Sequence, residues 1–203
     1  MISAEDFWQW FDENKERYYD LENLFDHDLY RELQVKVREY HSELSFQIGG
    51  VEDNPIRQLT ISANGKIENF EKVEELVCQA PIFDKWKVIA FKPADGFDIK
   101  IRIGEIEFDP KKLKYVPIEL TEYPDVGAIR VYMSEYQEGQ RDLFQIGISA
   151  LLEACLGEKC AALQINYIDV KSEPKSVKEI QMVDEFVHLE KYLEYRQNQI
   201  KYN

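Results

Sequence analysis

The chain has 203 residues, 44% hydrophobic and 13% aromatic, which is enough for a packed core and argues against disorder. Its 39 acidic residues outweigh 25 basic ones and set a net charge of −14, a field that repels a phosphate backbone and argues against nucleic acid as a partner. No apolar run reaches the ~18 residues that span a bilayer.

The opening residues carry no basic or apolar leader, so no signal peptide is expected. Cys78, Cys155 and Cys160 are an odd set without disulfide-framework spacing. A cytoplasmic protein with reduced thiols is the simplest account of them. Charge is uneven: residues 1–30 hold nine acids and two bases.

Elements follow in chain order. Ser3 reads as an N-cap, with Asp6 in place of the usual Glu of a capping box. Phe7, Phe11 and Tyr18 share one helical stripe, and Trp8 and Trp10 lie about 200° apart, so one of the two leaves that stripe. A second helix is predicted from Asp26 or Asp28, carrying Leu29, Leu33, Val37 and Tyr40. The period then changes to two. Leu44, Phe46 and Ile48 form a strand closed by Gly49-Gly50, and Leu59, Ile61 and Ala63 a second, with the loop Val51 to Pro55 between them. Asn64-Gly65 signals a turn. Phe70, Val73, Val77 and Ala80 mark a helix that Pro81 ends, and Trp86 to Phe91 is a third strand.

Ile99 to Ile103 and Ile106 to Phe108 form a hairpin about Gly104-Glu105. The earlier order then returns about 70 residues on. Tyr115 to Leu120 and Ala128 to Met133 are strands separated by the turn-rich Thr121 to Gly127. A helix from Gln140 carries Phe144, Ile148, Leu151, Leu152 and Cys155 up to Gly157, and Ala161 to Val170 is the last strand. After the linker Ser172 to Ser176, Val177 to Ile200 is expected to be one final helix.

The strings Phe7-Trp8-Gln9-Trp10-Phe11, Glu39-Tyr40-His41 with Leu44-Ser45-Phe46-Gln47-Ile48-Gly49, and Ile61-Ser62-Ala63-Asn64-Gly65 resemble an uncharacterised bacterial family, a domain of unknown function. Val73-Glu74-x-Leu76-Val77-x-x-Ala80-Pro81 and Trp86-x-x-x-Ala90-Phe91-x-Pro93 extend the resemblance over most of the chain up to Ile168. Ser42 departs from the family's pattern, which favours Pro there. The resemblance implies no activity and no catalytic residue.

No chemistry is written plainly in the motifs. His27, His41 and His188 are far apart, and His41, between the second helix and first strand, reads as a cap of the preceding carbonyls. Cys78 and Cys155 fall on apolar helix stripes and read as buried small hydrophobes. Cys155-x-x-x-x-Cys160 has no second pair and no neighbouring His, so no metal site is expected. Gly147-Ile148-Ser149-Ala150-Leu151 lacks the second Gly of a nucleophile elbow, and no phosphate or dinucleotide loop is present. The pairs Glu74-Glu75, Glu119 with Glu122, and Glu153 with Glu158 read as solvent-facing charge, and Glu153 as a helix-flank residue.

The sequence therefore predicts an α+β fold: a mainly antiparallel sheet, helices on one face, and N- and C-terminal helices. The organisation expected is a single domain, 1–203, with a helical segment 1–42, two ferredoxin-like ββαβ units at 44–93 and 114–170, a hairpin at 98–109 and a helix at 176–200. The function expected is an acidic protein-interaction module of inhibitor or immunity type for a basic protein, with no enzyme activity, cofactor or metal. Its binding residues would be Trp8 or Trp10 beside Asp12 and Glu13. The alternatives are a small-ligand binder or enzyme with a cleft between the halves, His41, Ser62 and Asn64 near its mouth, or a homodimer.

Overall fold

Residues 1–19, 27–50, 55–120, 122–123 and 126–201 are described by a computed structural model. The expected helix start at Asp26 and loop residues 51–54 lie outside them. The fold is α+β and divides into two compact units, Met1–Lys92 and Pro93–Asn203. Among the described residues no helix is long and apolar enough to cross a membrane.

In the first unit, α1 (Ala4–Tyr19) begins with the expected capping box. The Asp6 N–H donates to Ser3 Oγ at 3.0 Å, and the Ser3 N–H donates back to Asp6 Oδ2 at 3.0 Å. Helix α2 (His27–Tyr40) buries Leu33, Val37 and Tyr40. Strands β1 (Ser45–Gly50), β2 (Arg57–Ser62) and β3 (Trp86–Ala90) form one sheet in that order. β1 runs antiparallel to β2, whereas α3 (Phe70–Cys78) carries the chain over so that β3 is parallel to β2.

Phe46, Leu59, Ile61 and Trp86 share one sheet face by register. Against it α1 sets Phe11, edge-on to Trp86 at 5.3 Å between ring centroids, and α2 sets Tyr30, 4.6 Å from Phe46. The Asn64-Gly65 turn forms as expected, with φ of 55° and 73°. Phe91 also takes a positive φ, 66°, an uncommon state for a bulky residue. Its N–H extends the ladder to Ile61 O at 2.8 Å while its ring packs on Phe70 at 4.7 Å.

The second unit opens with the expected hairpin, β4 (Ile101–Ile103) and β5 (Ile106–Phe108), turned by Gly104 at a φ of 59°. β6 (Lys114–Pro117) pairs antiparallel with β7 (Ala128–Tyr132), and α4 (Arg141–Leu156) leads round to β8 (Tyr167–Lys171), parallel to β7. This is the same ββαβ order as in the first unit. The match reaches the turns: Lys66 N–H bonds Ala63 O at 3.1 Å after β2, and Tyr136 N–H bonds Met133 O at 3.0 Å after β7. Each turn runs through a short 3-10 segment, Ile67–Asn69 or Glu138–Gln140, into the crossover helix. Both sheets are thus mixed, with parallel pairing only at the crossovers.

Two spans differ from expectation. Ala161 to Val170 is not one strand: Gly157, at a φ of 80°, ends α4, and Glu158–Gln164 turns into a separate helix, α5. The helix formers Ala161, Ala162, Leu163 and Gln164 hold that turn, and the strand begins only at Tyr167. Val177 to Ile200 is not one helix either. It breaks into α6 (Val177–Met182), the two-residue strand β9 (Asp184–Glu185) on the free edge of β6, and α7 (Leu189–Lys201). Val183 turns extended, and the Phe186 side chain is fully buried in the core with Leu189 and Leu193. Burial of Phe186 and an open β6 edge outweigh the continuous helix expected over Val177 to Ile200.

The core of this unit lies on the sheet face carrying Tyr115, Ile129, Val131 and Val170, under α4 and α7. Helix α6 is tied to the opposite face, through Glu179 to Arg130.

Candidate functional site

Helix α1 carries four of the residues singled out by sequence. Trp8 is 2% exposed. Its indole N–H donates to Leu76 O of α3 at 2.8 Å, and its ring meets Phe7 and Phe11 edge-on. Trp8 is therefore a core residue, and its expected role as a surface anchor is corrected: its side of α1 faces α3. Trp10, on the divergent side, is half-buried beside Phe7 and Tyr18. The Lys36 ammonium of α2 lies 5.6 Å from its ring centroid, so this indole already accepts a cation.

Asp12 and Glu13 are exposed. Asp12 pairs with Lys15 at 2.5 Å, and Glu13 accepts from Gln9 Nε2 at 3.2 Å. With Glu5 and Glu16 they make an exposed carboxylate stripe along α1. Among the described residues its ion pairs are Lys15 on Asp12 and Lys85 at 3.5 Å from Glu16, and the carboxylate of each stays open to water, so they neutralise little of its field.

His41 ends α2, and Ser62 and Asn64 bond each other where β2 leaves the sheet. Ser62 is fully buried, and its Oγ accepts the Asn64 N–H at 3.0 Å. Asn64 Nδ2 donates to Glu43 O at 3.1 Å, and Asn64 Oδ1 accepts from Ser45 Oγ at 2.6 Å. His41 N–H closes α2 on Val37 O at 3.0 Å, and His41 O accepts from Leu44 N–H at 3.1 Å, while its Nδ1 is buried without a partner. Lys66 pairs with Glu43 and holds that carboxyl below its usual range. These bonds tie the turns of the first unit together and spend the polar groups of Ser62 and Asn64 locally.

A second polar cluster was not foreseen from the sequence. On the α6 side of the second sheet, Arg130 Nε donates to Asp169 Oδ2 at 2.7 Å, and Arg130 Nη1 pairs with Glu179. Arg130 and Asp169 are register partners on β7 and β8. In the sequence Arg130 and Asp169 are each the central residue of a five-residue strand, and only the parallel register brings them together. Glu179 also closes the capping box of α6 and accepts the N–H groups of Lys175 and Ser176, both at 3.1 Å.

Those two backbone donors, more than the Ser176 and Arg130 side chains, draw the Glu179 pKa from 4.5 down to about 2. A pKa depressed by folding adds stability above the unfolded value and loses it as pH falls through the folded one. The stability gap between the native chain and Glu179→Gln should thus be full above pH 4.5 and close as pH drops toward about 2. Denaturant melts across that window check it, and a gap independent of pH would contradict the assignment.

Two further expectations are corrected. Glu158 is fully buried at the start of α5, not solvent-facing, because α5 packs back on α4. Cys78 is exposed at the end of α3, because that turn of the stripe runs past the core. Cys155 is buried, and burial pushes its thiol pKa up to about 12. Burial raises that of Cys160 as well. A thiol reagent at neutral pH should therefore modify one cysteine rapidly, and Cys78→Ser should remove that phase. Fast labelling that survives the substitution would contradict this.

No protein-family model, curated protein or solved structure matches the chain.

Proposed function

We propose that the chain is an acidic protein-interaction module that engages a basic protein, of inhibitor or immunity type, through the outer face of α1. The observation that carries this reading is the stripe of Glu5, Asp12, Glu13 and Glu16, exposed along one rigid helix. Trp10 flanks it and already meets a lysine ammonium on its ring, the contact a basic partner would extend. Capped by Ser3 and packed through Phe7, Trp8, Phe11 and Tyr18, α1 presents these carboxylates without an ordering cost on binding. A net charge of −14 steers such a partner in from a distance. Three free cysteines favour a cytoplasmic setting for it.

The test is capture of partners by the tagged chain at low and high ionic strength. A stoichiometric basic partner that is lost at high salt agrees with the proposal. A partner indifferent to salt would overturn it.

A further inference from the structure

Between Lys171, the last residue of β8, and Phe186, anchored in the core, residues 172–185 run along the outside of the second unit. None of these residues is buried, and only Pro174, Glu179 and Val183 are half-buried. Helix α6 lies in this span, and its apolar side chains face water: Val177 is 71% exposed and Ile180 57%. Burial holds α4 and α7 to the sheet through Phe144, Ile148, Leu189 and Leu193. It does not hold α6.

The sheet beneath α6 is not closely packed against it. Two hollows, of about 360 Å³ and about 320 Å³, lie there, and Arg130 and Glu179 line both. The first extends to Tyr132 and Lys171, the second along Val116 and Pro117. The Arg130–Glu179 pair stands between them, where a helix docked by its apolar stripe would leave no such gaps.

Among the described residues the fastenings of this span are few. Glu179 meets the Arg130 guanidinium, and the Tyr132 hydroxyl belongs to the same cluster. Asp184 and Glu185 pair with Tyr115 and Lys114 on the β6 edge. His188 Nδ1 lies 2.9 Å from Asp184 at the surface, a contact of small weight. The other bonds of Glu179 run to the N–H groups of Lys175 and Ser176. They lie within the span and do not tie it to the sheet.

Release also strands no buried charge. Arg130 Nε donates to Asp169 Oδ2 at 2.7 Å, and that bond does not involve Glu179. Opening this span therefore costs far less than unfolding the core, which is the condition for a local opening.

From these contacts we infer that residues 172–185 are a strap that lifts from the outer face of the second sheet while the core stays folded. The Glu179–Arg130 pair is its latch. Lifting joins the two hollows into one groove and frees the β6 edge at Lys114 and Tyr115. The closed strap denies that edge to any added strand. The device belongs to the second unit and does not depend on how α1 engages a partner.

The test is hydrogen exchange of the full chain at several urea concentrations below the unfolding transition, read on peptides by mass spectrometry. A six-residue helix does not persist alone, so release exposes the α6 amides. They should exchange at least a hundredfold faster than those of β7, at a rate nearly independent of urea. Glu179→Gln can still cap α6 but weakens the latch. It should speed exchange of α6 and β9 about tenfold, the loss typical of a hydrogen bond between charged groups. Glu173→Gln removes the same charge from the strap away from the latch and should leave their exchange unchanged. Exchange of α6 only through the urea-dependent unfolding that exposes β7 overturns the strap. Equal α6 exchange in the native chain and Glu179→Gln, or equal acceleration by Glu173→Gln, overturns the latch.

Discussion

Replacing Gly147 with Ala should destabilise the second unit by about 3 kcal/mol, the upper end of the usual cost of overpacking a core. A Cβ at this position would fall 2.0 Å from Phe108 Cζ and 2.4 Å from both Cε atoms. The Phe108 ring is fully buried and also meets Phe144 at 6.2 Å, so it has little room to retreat. On an open helix the same change would gain about 1 kcal/mol in propensity, and here the clash dominates. Phe108→Ala alone should cost about 3–5 kcal/mol through the cavity it leaves. The double variant should cost less than the sum by 1 kcal/mol or more, since the new methyl group would enter that cavity. Urea melts of the four proteins check this. A neutral Gly147→Ala, or strict additivity, would contradict the packing described for α4 on β5.

Arg130→Met should be nearly as damaging, because it strands Asp169. That carboxylate side chain is 7% exposed, and the guanidinium is its closest cation, at 2.7 Å. Breaking a buried pair from one side costs ~3–5 kcal/mol. The Arg130 side chain keeps 31% of its surface in water, so about 2–4 kcal/mol is expected after screening. Arg130→Met with Asp169→Leu should recover most of the loss, since both desolvated charges are then gone. The exposed bridge from Arg17 to Glu32, 2.8 Å long, gives the contrast: breaking it with Glu32→Gln should cost under about 1 kcal/mol. If the two single variants cost the same, burial is not what gives the β7–β8 pair its weight.

Much of this was legible in the residues. Ser3 with Asp6, the Asn64-Gly65 turn, Pro81 beyond α3 and Gly104 in the hairpin are local signals, and each did locally what its chemistry dictates. The two-copy order was legible because strand alternation and helix periodicity are both short-range. Tertiary competition was not. Nothing in Val177 to Ile200 announces that Phe186 is drawn into a core built from residues far along the chain, or that β6 offers a free edge to Asp184. The site residues divide in the same way. Asp12 and Glu13 could be placed on an exposed face by helical period alone, whereas Trp8 against Trp10 needed the position of α3. Arg130, Asp169 and Glu179 come together only through parallel register and the docking of α6, which no spacing in the sequence encodes.

The proposal for α1 stands on where charge sits rather than how much there is. Its most direct test sets two charge-matched variants against the native chain: Glu5→Lys, Asp12→Lys, Glu13→Lys on α1, and Glu185→Lys, Glu190→Lys, Glu194→Lys on β9 and α7. Each shifts net charge equally, so long-range steering changes alike in both. Affinity for the protein captured at low salt should fall about a hundredfold or more in the α1 variant, as for the loss of several direct contacts, and by far less in the other. Equal losses in the two variants would show that the protein binds by diffuse charge alone and contradict a docking face on α1.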